Sequence, residues 1–208
     1  ASVTTTSSAA AACCRWTRAL TPGLIEAVVI NAGNANAATG AQGEAANRAM
    51  AETTAEALGC RADQVLVCST GVIGQQLPLD ALLPAITRAA KDLTASSAEV
   101  ARAILTTDLA PKEASAIGPG FSVAGIAKGS GMIHPNMATM LGFIVTDASV
   151  SGEDLSAALL EVNARTFNAI SVDGDTSTND TVILQSTGLG ATVRAGEPGW
   201  KAFIDALE

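Results

Sequence analysis

Two segments, EAVVINAG (26–33) and QVLVCSTG (64–71), constrain the fold more than any other part of the chain. Each is a short run rich in Val and Ile that ends in glycine, the pattern of a buried strand running into a glycine turn. Between them, GEAANRAMAETTAEALG (43–59) places Ala46, Ala49, Met50, Thr53 and Ala57 at helical spacing, with Gly59 as the predicted C-cap. Two more helices are predicted, from about Leu79 to Asp92 and from about Ser96 to Leu105. FSVAGIAKGSG (121–131), ATMLGFIVTDA (138–148), ISVDGD (170–175) and TVILQSTG (181–188) are strand-like and punctuated by glycine. Ser151 stands where an N-cap should, ahead of a helix to Asn168 whose Leu155, Leu159, Val162 and Phe167 fall on one face. A last helix is predicted from Pro198 to the final residue. Runs of strands with helices interspersed predict an α/β architecture of the α+β type, with layered sheets covered by helices.

A core is available to fill those layers. Of the 208 residues, 48% are apolar and only 15% charged, and with 3% aromatic residues and no tyrosine the core rests on Ala, Val, Ile and Leu. The formal net charge is -8 and the basic residues are scattered, so no basic face for a nucleic-acid partner is expected. No apolar run reaches the roughly 18–20 residues of a membrane-spanning helix, so no membrane partner is expected either. The opening residues, ASVTTTSSAAAACC, lack both a charged leader and a long apolar run. Cysteines stand at 13, 14, 60 and 68, with no C-x-x-C spacing, and His134 is the sole histidine. Neither a metal site nor a His-based triad is expected from that inventory, and the cysteines are read as reduced and core-filling, which suits an intracellular compartment.

Two polar loops invite chemistry. NAGNANAATGAQG (31–43) is dense in Gly and Asn ahead of a helix, so it suits either a turn that needs left-handed backbone angles or an anion-binding helix start. It matches neither phosphate-loop fingerprint. VDGDTSTND (172–180) carries three aspartates, but Gly174 falls in the wrong place for a calcium loop and no Glu closes it. Local side-chain to backbone bonds explain such a cluster as well, and it is a candidate wall of an active site.

The run GSGMIHPNMATMLGFIV (129–145) raises a sharper question. Thr139 either starts a strand as a β-branched residue or presents a hydroxyl that attacks something. A threonine hydroxyl needs a base, and cleavage of the chain just before it would make one. The α-amine of an N-terminal threonine has a pKa of about 7.7–8.0, close to ideal at neutral pH. The same hydroxyl can make the cut by attacking the Ala138 carbonyl, and the small Ala138, Pro135 and the preceding glycine loop suit that step.

KGSGMIHPNMATML closely resembles the cleavage-site motif of the glutamate N-acetyltransferase / ornithine acetyltransferase family of arginine biosynthesis. NAGNANAATG (31–40), VCSTGVIG (67–74), ILTTDLAPK (104–112) and TFNAISVDGDTSTNDT (166–181) match in the same order, and the resemblance runs from about Thr4 to Gly188. It implies the sandwich fold shared with N-terminal-nucleophile-like aminopeptidases. It also implies self-cleavage between Ala138 and Thr139, giving an α chain (1–138) and a β chain (from 139) that stay together, as an α2β2 assembly. Thr139 would then be both nucleophile and, through its free amine, base. Thr70 and Gly71 would form the oxyanion hole, and Thr106, Lys128 and Thr139 would contact substrate. The implied reaction moves an acetyl group from N2-acetyl-L-ornithine to L-glutamate through an acetyl-threonine. No cofactor is implied beyond acetyl-CoA as an optional co-substrate, and the implied location is cytoplasmic, or organellar in a eukaryote. The same threonine chemistry with water as acceptor would make an amidase or aminopeptidase, and an uncleaved, inactive subunit is the non-enzymatic alternative. The family continues past residue 208, so residues 1–190 are expected as the catalytic domain and 191–208 as the start of a truncated further region.

Overall fold

In a computed structural model, residues 2–6, 25–93, 96–134 and 140–208 are described. Their strands are β1 (Ser2–Thr6), β2 (Ala27–Asn34), β3 (Val65–Val72), β4 (Lys112–Gly118), β5 (Phe121–Lys128), β6 (Leu141–Thr146) and β7 (Thr181–Ser186). The helices are α1 (Gly40–Leu58), α2 (Leu79–Ala89), α3 (Ser97–Ala103), α4 (Gly152–Arg165) and α5 (Pro198–Leu207). One sheet has five strands in the order β1-β7-β6-β5-β4, and the other pairs β2 with β3. The β2–α1–β3 and β6–α4–β7 segments each join parallel strands through a helix, as parallel pairing requires. The remaining neighbours in the large sheet are antiparallel.

Alternation along the strands stacks these pieces into four layers. In β3, Val65 and Val67 face α1 and α2, where they meet Met50, Ala51, Ala55 and Ile86. The intervening Leu66 and Cys68 face the other way, against Leu141, Phe143 and Ile183 of the large sheet. In β7, Ile183 joins that inter-sheet core while Val182 and Leu184 point outward beneath α4 and α5. The order is therefore helices, small sheet, large sheet, helices. Strands buried on both faces need apolar residues at successive positions, which is why VLVC and TVIL show up so plainly in the sequence.

Local signals act as expected in several places. Gly59 caps α1 in the left-handed conformation at φ 72°. The Ser151 hydroxyl accepts the Asp154 amide at 3.1 Å and opens α4. Leu155, Leu159 and Val162 are buried on its inner face, with Phe167 packed beside them. In the segment 191–208, α5 buries Phe203 edge-on against Phe121, with ring centroids 5.6 Å apart.

Residues 170–175 depart from the expected strand. They form a loop with Ile170 and Val172 exposed, because Asp173 turns its carboxylate onto the amides of Met132 (2.6 Å) and Ile133 (2.9 Å) instead of entering a ladder. Strand β4 had no signal in the sequence. It is the exposed edge of the large sheet, where KEASAIG has no core face to advertise. No helix among the described residues is long and apolar enough to cross a membrane.

Candidate active site

The end of the inter-sheet layer where β3 finishes and β6 begins is polar, and its polar groups are buried. Sheet register creates it. Lys128, the last residue of β5, pairs with Leu141, and Leu141 pairs with Thr181. The residues just before β6 and β7, Met140 and Asp180, therefore meet beside the Lys128 row. The Met140 amide donates to Asp180 Oδ1 at 2.8 Å, and the Thr181 amide donates to the Met140 carbonyl at 3.0 Å. Ala138 and Thr139 lie outside the described residues, as do Pro135, Asn136 and Met137. Met140, the residue that follows Thr139 in the chain, is itself held by the Asp180 carboxylate.

Lys128 is 1% exposed, and Asp180 is fully buried. The Lys128 ammonium reaches Thr106 Oγ1 at 3.4 Å, which joins two of the expected substrate contacts directly. Thr106 itself is exposed and opens this end of the site to solvent. Burial lowers the Lys128 ammonium and Lys112 adds to that effect, while the carboxylates of Asp108 and Asp180 oppose it. Burial pushes the Asp180 carboxyl up to about 6, against the Met140 amide, the Ser177 hydroxyl and the Lys128 ammonium. Asp180 Oδ2 has no hydrogen-bond partner among the described residues. Asp108 braces Lys128 from behind: it accepts the Gly129 amide at 2.6 Å and pairs with Lys112 at 2.5 Å. Burial would raise the Asp108 carboxyl, but the Lys112 and Gly129 bonds outweigh it and hold it low.

The end of β3 is tied to the same place. Asn179, next to Asp180, donates from Nδ2 to Ser69 Oγ at 3.1 Å, and Ser69 also accepts the Asn36 amide at 2.8 Å. Thr70 follows, 2% exposed, and then Gly71 at φ 130°. A Cβ on Gly71 would stand 2.3 Å from the Gly33 carbonyl carbon and 2.6 Å from the Asn34 amide nitrogen. Only glycine allows β2 and β3 to approach this closely, and a bulge at Asn34 ends their pairing there. Ser69, the residue before Thr70, is what ties this strand end to Asn179.

The NAGNANAATGAQG loop closes on itself. Asn36 Nδ2 donates to the Gly43 carbonyl at 2.8 Å, Thr39 Oγ1 donates to Asn36 Oδ1 at 2.6 Å, and those side chains fill the space over Gly43. The loop is thus a support for β3 and the first turn of α1. His134 is exposed. Among the described residues, no group of three or more His, Cys, Asp or Glu is placed to hold a metal ion.

Thr106 and Lys128 thus lie together, Lys128 in the row beside Met140, and Ser69, just before Thr70 and Gly71, is tied to Asn179 next to Asp180. Asp180, Asn179, Ser69 and Asp108 were not singled out one by one in the sequence, although VDGDTSTND marked the loop that carries two of them. A strand-terminal Asp immediately before an apolar TVIL run was the available signal for Asp180.

A model of the ArgJ family matches residues 1–208. An arginine biosynthesis bifunctional protein ArgJ of Symbiobacterium thermophilum is 50% identical over 192 residues, which are 89% of this chain and 48% of that protein. The protein of the same name from Thermus thermophilus is 50% identical over 187 residues, 88% of this chain and 46% of its own length. The chain thus spans about half the length of these relatives. A crystal structure of ornithine acetyltransferase from Mycobacterium tuberculosis, complexed with ornithine, is 35% identical with a TM-score of 0.56, covering 65% of this chain and 76% of that one. The ArgJ structure from Bacillus halodurans gives 33% and 0.50, covering 66% and 76%.

Proposed function

The chain belongs to the ArgJ family, and from that premise we propose that it carries the nucleophile, oxyanion hole and part of the substrate pocket of an acetyltransferase. The observation that supports this reading is the buried Lys128, 3.4 Å from Thr106 and paired in register with Leu141, beside the Asp180 carboxylate that holds Met140, the residue that follows Thr139.

The proposed sequence of bonds is as follows. Thr139 Oγ attacks the Ala138 carbonyl, and the peptide bond is exchanged for an ester as the nitrogen leaves. Water then hydrolyses the ester, leaving a carboxylate on Ala138 and an amine on Thr139. In the transfer reaction that amine takes the hydroxyl proton while Oγ attacks the acetyl carbonyl of N2-acetylornithine. The proton passes to the departing ornithine nitrogen, and the acetyl group rests on Oγ. The glutamate α-amine then attacks the ester, forms N-acetylglutamate and returns the hydroxyl. In each tetrahedral step the Gly71 amide and Thr70 stabilise the developing oxyanion, a type of donor worth about 2.7–4 kcal/mol. Lys128 and Thr106 hold an amino-acid carboxylate. The Mycobacterium tuberculosis neighbour, solved with ornithine, supports that substrate class. Acetyl-CoA would be a second donor to the same threonine, the cleaved chains would remain together as α2β2, and the reaction would take place in the cytoplasm.

The test uses the full-length protein. Purified material should show a mass corresponding to cleavage before Thr139 and should transfer acetyl from acetylornithine to glutamate, with Thr139→Ala abolishing both. Acetate release independent of glutamate would overturn the transferase reading in favour of an amidase, and an uncleaved wild type without transfer would leave only an inert subunit.

A further inference from the structure

Asp180 is an odd residue for a core. It is fully buried, one of its oxygens has no partner among the described residues, and it directly precedes β7, a strand packed on both faces. A buried carboxylate left half-satisfied is costly, and a stable core would do better with an apolar side chain there. Its contacts indicate what it does. Oδ1 holds the Met140 amide, its charge faces the Lys128 ammonium of β5, and its neighbour Asn179 clamps the end of β3 through Ser69. Asp108 and Lys112 stand behind Lys128, and Ser177 approaches from the same loop. The Asp180 side chain therefore holds the residue that follows Thr139 and faces the cation assigned to substrate. The tie to the end of β3, just ahead of the oxyanion turn, is made by its neighbour Asn179.

We propose that Asp180 is the positioning residue that holds Met140, and with it the adjoining Thr139, in place against Lys128, in its ionised form and with Lys128 as the cation it faces. This role rests on the acetyltransferase reading. With the carboxyl pushed up to about 6, this hold is made above that pH and released below it.

The test combines the pH profile of the full-length enzyme with a spectroscopic readout. In the wild type, kcat/KM should fall with decreasing pH at slope one below about pH 8, where the chain-end amine takes its proton. Below about pH 6, where Asp180 protonates as well, the slope should become two. Asp180→Asn keeps an oxygen for the Met140 amide but removes the charge. It should lower kcat by about 10²-fold, the cost of misplaced reacting groups, and keep slope one throughout. In 15N-methionine-labelled protein the Met140 amide should titrate near pH 6 in the wild type and not in Asp180→Asn. An unchanged acid slope and kcat in Asp180→Asn, or a Met140 amide that does not titrate, overturns the role. A wild type that lacks transfer while its Met140 amide titrates refutes the acetyltransferase reading, and the positioning role in that reaction falls with it. If Asp180→Asn fails to fold, the double variant Lys128→Met, Asp180→Asn should restore Tm, since both buried charges are then gone. Failure to restore it overturns the pairing.

Discussion

Gly71 is the position where the backbone leaves the least room, and replacing it measures how closely β2 and β3 must approach. Two costs follow from adding a methyl group. At φ 130° an L-residue sits in a region it rarely adopts, a strain of about 1–3 kcal/mol. The new Cβ would also stand 2.3 Å from the Gly33 carbonyl carbon, 2.4 Å from its oxygen and 2.6 Å from the Asn34 nitrogen. Those atoms are backbone, with no flexible side chain to swing aside, so a further ~1–3 kcal/mol of overpacking applies. Together, Gly71→Ala should cost about 2–6 kcal/mol, which at roughly 2–4 °C per kcal/mol lowers Tm by about 4–24 °C. Gly74→Ala is the control. Gly74 also has positive φ, 82°, but a Cβ there meets nothing within 4 Å, so only the backbone strain applies. Thermal unfolding of both variants by circular dichroism should give a clearly larger loss for Gly71→Ala. Equal losses would show that the close approach of the two strands carries no energetic weight.

Two further outcomes follow from single contacts. Asp173 is held low by the Met132 and Ile133 amides, so its contribution to stability is present above the ordinary carboxylate value of 3.8 and is lost as pH falls through its lower folded value. The Tm gap between wild type and Asp173→Asn should therefore be full at neutral pH and close in acid, and a gap independent of pH would refute that assignment. Ser151→Ala removes the cap of α4 and should cost about 1 kcal/mol, a Tm drop of about 2–4 °C, while an unchanged Tm would mean that the bond to Asp154 contributes nothing.

How much of the fold was legible depends on where each strand lies. β2, β3 and β7 are covered on both faces, so Val28, Leu66 and Ile183 stand beside Val29, Val67 and Leu184 and no polar alternation interrupts the run. β4 lies at an exposed edge and carries Lys112, Glu113 and Ser115, which say nothing about pairing. The stretch ISVDGD shows the opposite error: Ile170 and Val172 have strand propensity, but Asp173 finds two amides of the loop before Ala138 and the segment is drawn out as a brace. In the site, Thr70, Gly71, Thr106 and Lys128 could be named from motifs. The link between them could not, because Asp180 meets Met140 and Lys128 only through the β5–β6–β7 register, and no local pattern encodes a register across three strands.

The cost of that link is what makes it informative. Lys128 and Asp180 are among the largest fully buried side chains of a core otherwise built from aliphatic groups. Each is driven by burial toward its neutral form; Asp108 and then Asp180 oppose this at Lys128, while the Met140 amide, the Ser177 hydroxyl and, least, Lys128 oppose it at Asp180. Buried opposite charges of this kind add little net stability compared with apolar replacements, and leaving one of them uncompensated costs far more. Their place in the structure therefore has to be explained by position. They occupy the one corner where the row across β5, β6 and β7 runs out beside the end of β3, next to the residue that follows Thr139. On the proposed function, a buried cation fixed there would meet a substrate carboxylate without moving, with the energy of burying it spent before the reaction begins.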